Sequence, residues 1–256
     1  MQTQSRIAVA GATGRVGRHV VALLGSAGQE VVPISRANGV DVITGEGLVQ
    51  ALTVVDTVID AATGPSPDKD QATEFFVTSA CNLQEFGVRS GVGRIVAVSI
   101  IGADRFTAGY NVAKVAHERT LLAGPIPARV LRAAQFHEFV EQLLDWGTQG
   151  EVAYVPEMRT QLVAARTVAQ ALVELALAPE FAPGSANGRI PEIAGPRIER
   201  LVEMARLVAA KRGAPQRVEE ARDPDDPDRD LFANEGLLPS PDATLAGPPF
   251  EEWLDD

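Results

Sequence analysis

Three glycines spaced three apart, in Gly11-Ala12-Thr13-Gly14-Arg15-Val16-Gly17, are the first residues of the chain whose types and spacing could do chemistry. The first glycine permits a tight turn, the second lets backbone approach a pyrophosphate, and the third lets a helix pack closely on a strand. A helix starting there offers unpaired N–H groups and a partial positive charge to phosphates. No Lys-Ser/Thr pair follows, so the turn is not a triphosphate-binding P-loop. About 20 residues further on, an acid would bind the ribose 2′-hydroxyl of NAD. The chain has Ser35-Arg36 there instead. A guanidinium and a hydroxyl suit a 2′-phosphate, and Arg15 in the turn could reach the same group. The pattern predicts NADP(H) as the preferred cofactor, with NAD(H) admissible.

A second pair is Tyr110 and Lys114, four residues apart and so on one face of a helix. An ammonium beside a phenol favours the phenolate and lowers its pKa, which makes tyrosine a usable acid and base near neutrality. The three histidines, His19, His117 and His137, have no metal-ligand spacing, and Cys81 is the single cysteine, so no metal site is expected. His19 and His117 fall on predicted helices and read as solvated, and Cys81 reads as a small buried group. No Gly-x-Ser-x-Gly elbow supports hydrolase chemistry.

The elements that position these residues alternate. Apolar runs predict strands at Arg6–Ala10, Glu30–Ser35, Val40–Val42, Val54–Ala61, Arg94–Val98 and Ala128–Leu131, separated by helical patterns. Pro33 must then lie where its missing N–H is not needed. Later come an extended piece at Gln161–Ala164, a helix at Thr167–Ala178, a strand at Arg189–Ala194 and a helix at Ile198–Lys211. The acidic, proline-bearing stretch Glu219–Asp230 reads as a solvated loop. This βαβ alternation predicts an α/β protein: a doubly wound parallel sheet in one domain over 1–256. Residues 1–150 would form the cofactor core and 151–256 a small substrate-pocket region.

Composition agrees with a globular protein. Hydrophobic residues are 45% of the 256 and charged residues 22%. A formal charge of −11 argues against nucleic acid and anionic membrane as partners. One cysteine fits a reducing compartment, and neither a signal peptide nor a spanning run of about 20 apolar residues is evident, so a cytoplasmic location is expected. The partner expected is a small-molecule substrate, and a homodimer is compatible.

These residues, with VSIIGAD (Val98–Asp104), YNVAK (Tyr110–Lys114), Glu118, LRAAQFHEF (Leu131–Phe139), QLVAARTVAQAL (Gln161–Leu172), EIAGP (Glu192–Pro196) and the C-terminal LLPSPDATLAGPPFEEWL, resemble the short-chain dehydrogenase/reductase superfamily in its atypical, NmrA-like, NAD(P)-binding branch. The resemblance implies that Tyr110 and Lys114 carry the chemistry with Ser99, which would hydrogen-bond a substrate carbonyl, and that Lys114 also holds the nicotinamide ribose. It implies a cofactor set of Gly11, Thr13, Gly14, Arg15, Val16, Gly17, Ser35, Arg36, Asp41, Ala61, Ala62, Thr63 and Lys114. Gln135, Phe136 and His137 would line the substrate pocket. The implied activity is NADPH-dependent reduction of a small carbonyl or enone-like compound. The alternatives are a non-catalytic NAD(P)H-sensing regulator and an NAD-dependent epimerase or dehydratase; the last normally carries a larger substrate domain, for which this chain has little room.

Overall fold

In the computed structural model, which describes residues 5–179 and 189–256, backbone contacts gather the chain into two compact units. The first holds the described residues of Met1–Ser99, Gly109–Arg132 and Val168–Pro191. Its elements run β1 (Arg6–Ala10), α1 (Gly17–Ser26), β2 (Glu30–Ile34), α2 (Leu48–Leu52), β3 (Thr57–Asp60), α3 (Lys69–Ser90), β4 (Arg94–Ile100), α4 (Gly109–Ala123) and β5 (Ala128–Ala133). The strands lie in the order β2-β1-β3-β4-β5. β1 runs parallel to both β2 and β3, with Ala10 opposite Ile34 and Asp60. β3 runs parallel to β4. The order reverses between β1 and β3, and in such sheets the crevice beyond that reversal is where ligands bind. Pro33 satisfies its constraint because β2 is at the edge of this sheet.

Burial explains the strands. Ala8, Val58, Ile95 and Ala97 pack with Leu48, Leu52, Leu83 and Leu121 from the helices, and all eight are almost wholly enclosed. Strands covered on both faces read as continuous apolar runs, as these do. The 22-residue α3 is punctuated as its sequence dictates. Asp68 accepts the N–H groups of Asp70 and Gln71, and Gly91 closes the helix at φ 79°.

Three sequence expectations change here. Val40–Val42 is not a strand: the Val40 N–H is spent on the Ser35 carbonyl and the Asp41 N–H on Glu46, between glycines 39, 45 and 47 at positive φ. The strand foreseen at Val54–Ala61 shortens to β3, because Val54 sits in a turn at φ 54°. Cys81 is exposed, since α3 turns the neighbouring Ala80, Leu83 and Gln84 inward instead.

The second unit holds Ile100–Ala108, Ala133–Thr167 and Glu192–Asp256. It contains α5 (His137–Gly147), β6 (Thr148–Gln149), β7 (Val152–Pro156), β8 (Arg159–Thr160), the start of α6 (Ala165–Leu177), β9 (Glu192–Ala194), β10 (Glu199–Arg200), α7 (Leu201–Arg212), β11 (Arg217–Ala221), α8 (Arg229–Ala233), β12 (Thr244–Leu245) and α9 (Phe250–Asp255). Val140, Leu144, Val155, Leu201, Ala205 and Phe250 are among its core. The acidic stretch is more structured than its composition suggested. Glu219–Ala221 belongs to β11, paired with β7, and Asp228 is only 4% exposed. The Asp228 carboxylate accepts the N–H groups of Thr107 and Ala108 and the Thr107 hydroxyl. A buried acceptor with three donors is fixed, whatever the charge density of its neighbours.

Candidate active site at the tips of β1, β3 and β4

The glycine turn leaves β1 at the strand reversal. Gly11 has φ 73°, and a Cβ there would stand 2.6 Å from the Ala61 carbonyl oxygen, so close approach to the tip of β3 requires glycine. A Cβ on Gly17 would overlap the Gly11 carbonyl, which fixes how closely α1 begins against the turn. Gly14 differs: its Cβ would meet only the Gly11 carbonyl oxygen, at 3.1 Å. The first and third glycines are therefore needed by the fold itself, whereas the second is crowded by that one oxygen alone, which leaves its other sides for a pyrophosphate. α1 begins with no side-chain cap, and Thr13 is exposed beside it. Val16 is buried and Arg15 half-buried.

After β2, Ser35 donates its hydroxyl to Asn38 and opens a short 3₁₀ turn over Arg36–Asn38. Arg36 is exposed and makes no ion pair among the described residues. Asp41 accepts the N–H groups of Ile43 and Thr44, which gives its carboxylate a local turn to close.

Ala61, Ala62 and Thr63 continue β3 outward, and the Thr63 Oγ1 lies 2.9 Å from the Tyr110 hydroxyl. Tyr110 stands edge-on to the buried Phe76 of α3 at 5.5 Å between centroids. Burial pushes its phenol above the ordinary pKa, partly offset by the Thr63 hydrogen bond. The expected lowering by Lys114 is absent, for a geometric reason. Lys114 is 5% exposed and bends inward, donating to the Val98 carbonyl at 2.9 Å and meeting the His117 Nδ1 at 3.1 Å. Its ammonium also stands 4.2 Å from the centre of the Phe76 ring. Burial draws its pKa down to about 8, against the charges of Asp60 and Glu118.

His117, expected to be solvated, is 1% exposed, and its Nε2 lies 2.9 Å from the Asp60 carboxylate. Asp60 also accepts the Ala62 N–H at 3.0 Å. Burial would raise the Asp60 pKa, but the bonds from His117 and Ala62 and the charge of Lys114 hold it below the usual carboxylate range. Sequence reasoning missed both residues. The available signals were an acid ending an otherwise apolar strand and a histidine three residues beyond Lys114, on the same helical face.

Ser99, near the carboxyl end of β4, is 3% exposed, and its hydroxyl has no partner. A buried hydroxyl without a partner is costly, so it marks a place where a ligand atom would complete the bonding. Gln135, Phe136 and His137 fall in the second unit. Gln135 accepts the Thr160 hydroxyl, and Phe136 is half-buried in an isolated bridge to Val163. The His137 ring is fully enclosed beside Phe250 and Trp253, each 5.2 Å away between centroids, and neither ring nitrogen is bonded. Among the described residues no helix is long and apolar enough to cross a membrane.

No family model and no curated protein matches the sequence. Solved structures do match the fold. A short-chain dehydrogenase/reductase superfamily protein from Agrobacterium tumefaciens with bound NAD superposes with a TM-score of 0.68 at 17% identity, over 98% of this chain and 95% of that one. UDP-glucose 4-epimerase from Thermus thermophilus, in complex with NAD, gives 0.66 at 19% identity, over 95% and 90%. MoeE5 in complex with UDP-glucose and NAD gives 0.67 at 21% identity, over 94% and 90%. The chain has the Rossmann-like α/β fold of these NAD-bound proteins.

Proposed function

We propose that the protein is a nicotinamide-dependent enzyme that transfers hydride to or from a carbon bearing a hydroxyl or carbonyl oxygen. The observation that carries this reading is a continuous line of groups in the first unit. The glycine turn touches the tip of β3, Thr63 on that tip holds the Tyr110 hydroxyl, and Lys114 lies one helical turn further on. The open side of Gly14 and the unpartnered Ser99 hydroxyl fit a bound dinucleotide and substrate oxygen. The dinucleotide supplies the hydride when bound. Tyr110, kept as the neutral phenol by burial, gives a proton to the substrate oxygen in the reducing direction and takes it back in the other. Ser99 donates a hydrogen bond to that oxygen. Lys114 places a positive charge by the site and holds ribose hydroxyls. Arg36 and Ser35, with no acid at that position, favour NADP(H) over NAD(H).

Two substrate readings remain in play, and each has an observation behind it. Arg36 suits a dissociable NADPH and hence reduction of a small carbonyl. The nucleotide-sugar proteins aligned over 90% of their own length favour an epimerase or dehydratase, and they remove the objection that this chain is too short for one. The test is direct. Purified protein is offered NADPH with a panel of carbonyl compounds, followed by loss of the reduced-nicotinamide absorbance, and NAD with UDP-glucose, followed by NMR of the sugar. Tyr110→Phe should keep cofactor affinity and lower turnover by roughly 10²–10⁴. Wild-type turnover in Tyr110→Phe would remove Tyr110 as the acid. Cofactor binding with no turnover in either assay would favour a sensor.

A further inference from the structure

Lys114 is a donor-only group with three protons, and the structure commits two of them, to the Val98 carbonyl and to the His117 Nδ1. The second bond is possible only if Nδ1 carries a lone pair. The ring proton must then sit on Nε2, which is 2.9 Å from a carboxylate oxygen of Asp60. A protonated His117 would instead drive an Nδ1–H against an ammonium at 3.1 Å. Which nitrogen of a histidine is protonated follows from the partner of the other, and here both partners agree. Asp60 is itself locked by the Ala62 N–H, in the segment that carries Thr63. All three side chains are at most 5% exposed. The Tyr110 hydroxyl is bonded to Thr63, whereas Asp60 is bonded to His117 and His117 to Lys114, so the role argued for the two is distinct from the proton transfer described above.

We propose that Asp60 and His117 are positioning residues for Lys114. Asp60 fixes His117 as its Nε2–H tautomer, and the His117 Nδ1 then fixes the Lys114 ammonium, leaving its third proton for a hydroxyl of the bound dinucleotide. This rests on the hydride-transfer reading for what Lys114 holds, but not for the chain of bonds itself. The chain also sustains the charge of a lysine that burial works against. Asp60 faces the ammonium from β3, and His117 and Glu118 from α4. Glu118 is taken up by a bidentate pair with Arg132 of β5, at 2.9 and 2.7 Å. Phe76 of α3 offers the face of its ring. Both acids favour the charged form of Lys114, and Asp60 is the one bonded to His117, which in turn meets the ammonium.

Two measurements test the proposal. Long-range ¹⁵N–¹H spectra of wild-type protein near neutral pH should show His117 neutral and protonated on Nε2. A neutral Nδ1–H ring or an imidazolium would overturn the proposal without any variant being made. The second measurement follows the Lys114 side-chain NMR resonance against pH in wild type, Asp60→Asn, His117→Asn and His117→Ala. Asp60→Asn keeps an acceptor for the ring proton but removes the charge, and should move the midpoint down by about one pH unit. In His117→Asn the amide oxygen can take the place of Nδ1, so NADPH affinity, read by fluorescence titration at pH 7, should be largely retained. In His117→Ala it should fall by about tenfold. Unchanged midpoints in Asp60→Asn, or equal affinities for His117→Ala and wild type, would show that the two residues only fill space. If wild-type protein binds no dinucleotide, the functional reading fails, while the tautomer and the Lys114 midpoint still decide the positioning chain.

Discussion

In the function proposed above, Arg36 and Lys114 would serve one dinucleotide in different ways. Arg36 is exposed and unpaired among the described residues, so nothing has to be broken before it meets a phosphate. Lys114 is enclosed and already bonded, so its contribution is direction. Arg36→Ala should therefore weaken NADPH binding by about 1.5–3 kcal/mol, the worth of hydrogen bonds to a charged group, and leave NADH binding nearly unchanged. Calorimetric titration of both cofactors checks this, and equal losses would mean that Arg36 does not read the 2′-phosphate. Placement that depends on neighbours in sequence was legible: the glycine turn between a strand and a helix, Ser35-Arg36 after the second strand, and Tyr110 and Lys114 on one helix. Asp60 and His117 were not, because they are 57 positions apart and each looks ordinary alone. Only the fold brings an acid at a strand end under a histidine on a helix. The inward bend of Lys114 was equally hidden, since helical spacing says which face a side chain leaves from and nothing about which acceptor it finds.

At the scale of elements, the sequence predicted the order of strands and helices in the first unit because buried parallel strands and long helices have different apolar periods. It failed where short segments spend their hydrogen bonds locally, at Val40–Val42, and where a turn imposes its own dihedral angles, at Val54. Val54 is β-branched, 67% exposed, and held at φ 54°, in a turn whose Val55 N–H returns to the Leu52 carbonyl. Such a residue strains the backbone without compensating burial. Val54→Gly should raise stability by about 1 kcal/mol in denaturant unfolding, with cofactor binding unaffected. A loss of stability would show that the Val54 side chain packs in a way its exposure conceals. The acidic stretch offers the opposite case. Composition made Glu219–Asp230 a solvated loop, yet Asp228 binds three donors of the Thr107–Ala108 segment. Asp228→Ala should cost about 2–3 kcal/mol, whereas Asp225→Ala, at an exposed position nearby, should fall within the ordinary surface range of about 0.5 kcal/mol. Equal effects would return the whole stretch to the status of a solvated loop.

At the scale of the whole molecule, two groups whose pKa values burial moves far from their ordinary range, Glu199 and His137, give stability a pH dependence. Two groups in the second unit act in opposite directions. Burial, the largest cause, raises the Glu199 carboxyl from 4.5 to about 7, aided by the charge of Glu251 and opposed by the Leu162 and Phe250 N–H groups and by Arg197. The folded protein then holds a proton that the unfolded chain has lost, so stability falls as pH rises from 4.5 to 7. Glu199→Gln should therefore gain in Tm relative to wild type across that window and hold the gain above it. A constant difference would mean that Glu199 is ionised in the fold throughout. His137 runs the other way. Burial between Phe250 and Trp253 draws its pKa from 6.5 to about 4, so the unfolded chain takes up a proton that the folded one refuses. Its contribution is lost as pH falls from 6.5 to 4, and it partly cancels the Glu199 slope where the two windows overlap. His137→Phe isolates this effect, because a phenyl ring can keep both aromatic contacts and neither ring nitrogen has a hydrogen bond to lose. The Tm of His137→Phe should exceed that of wild type by a margin that widens steadily from pH 6.5 to 4. A margin independent of pH would mean that the folded protein accepts the proton, and that the ring is less enclosed in solution than its packing indicates.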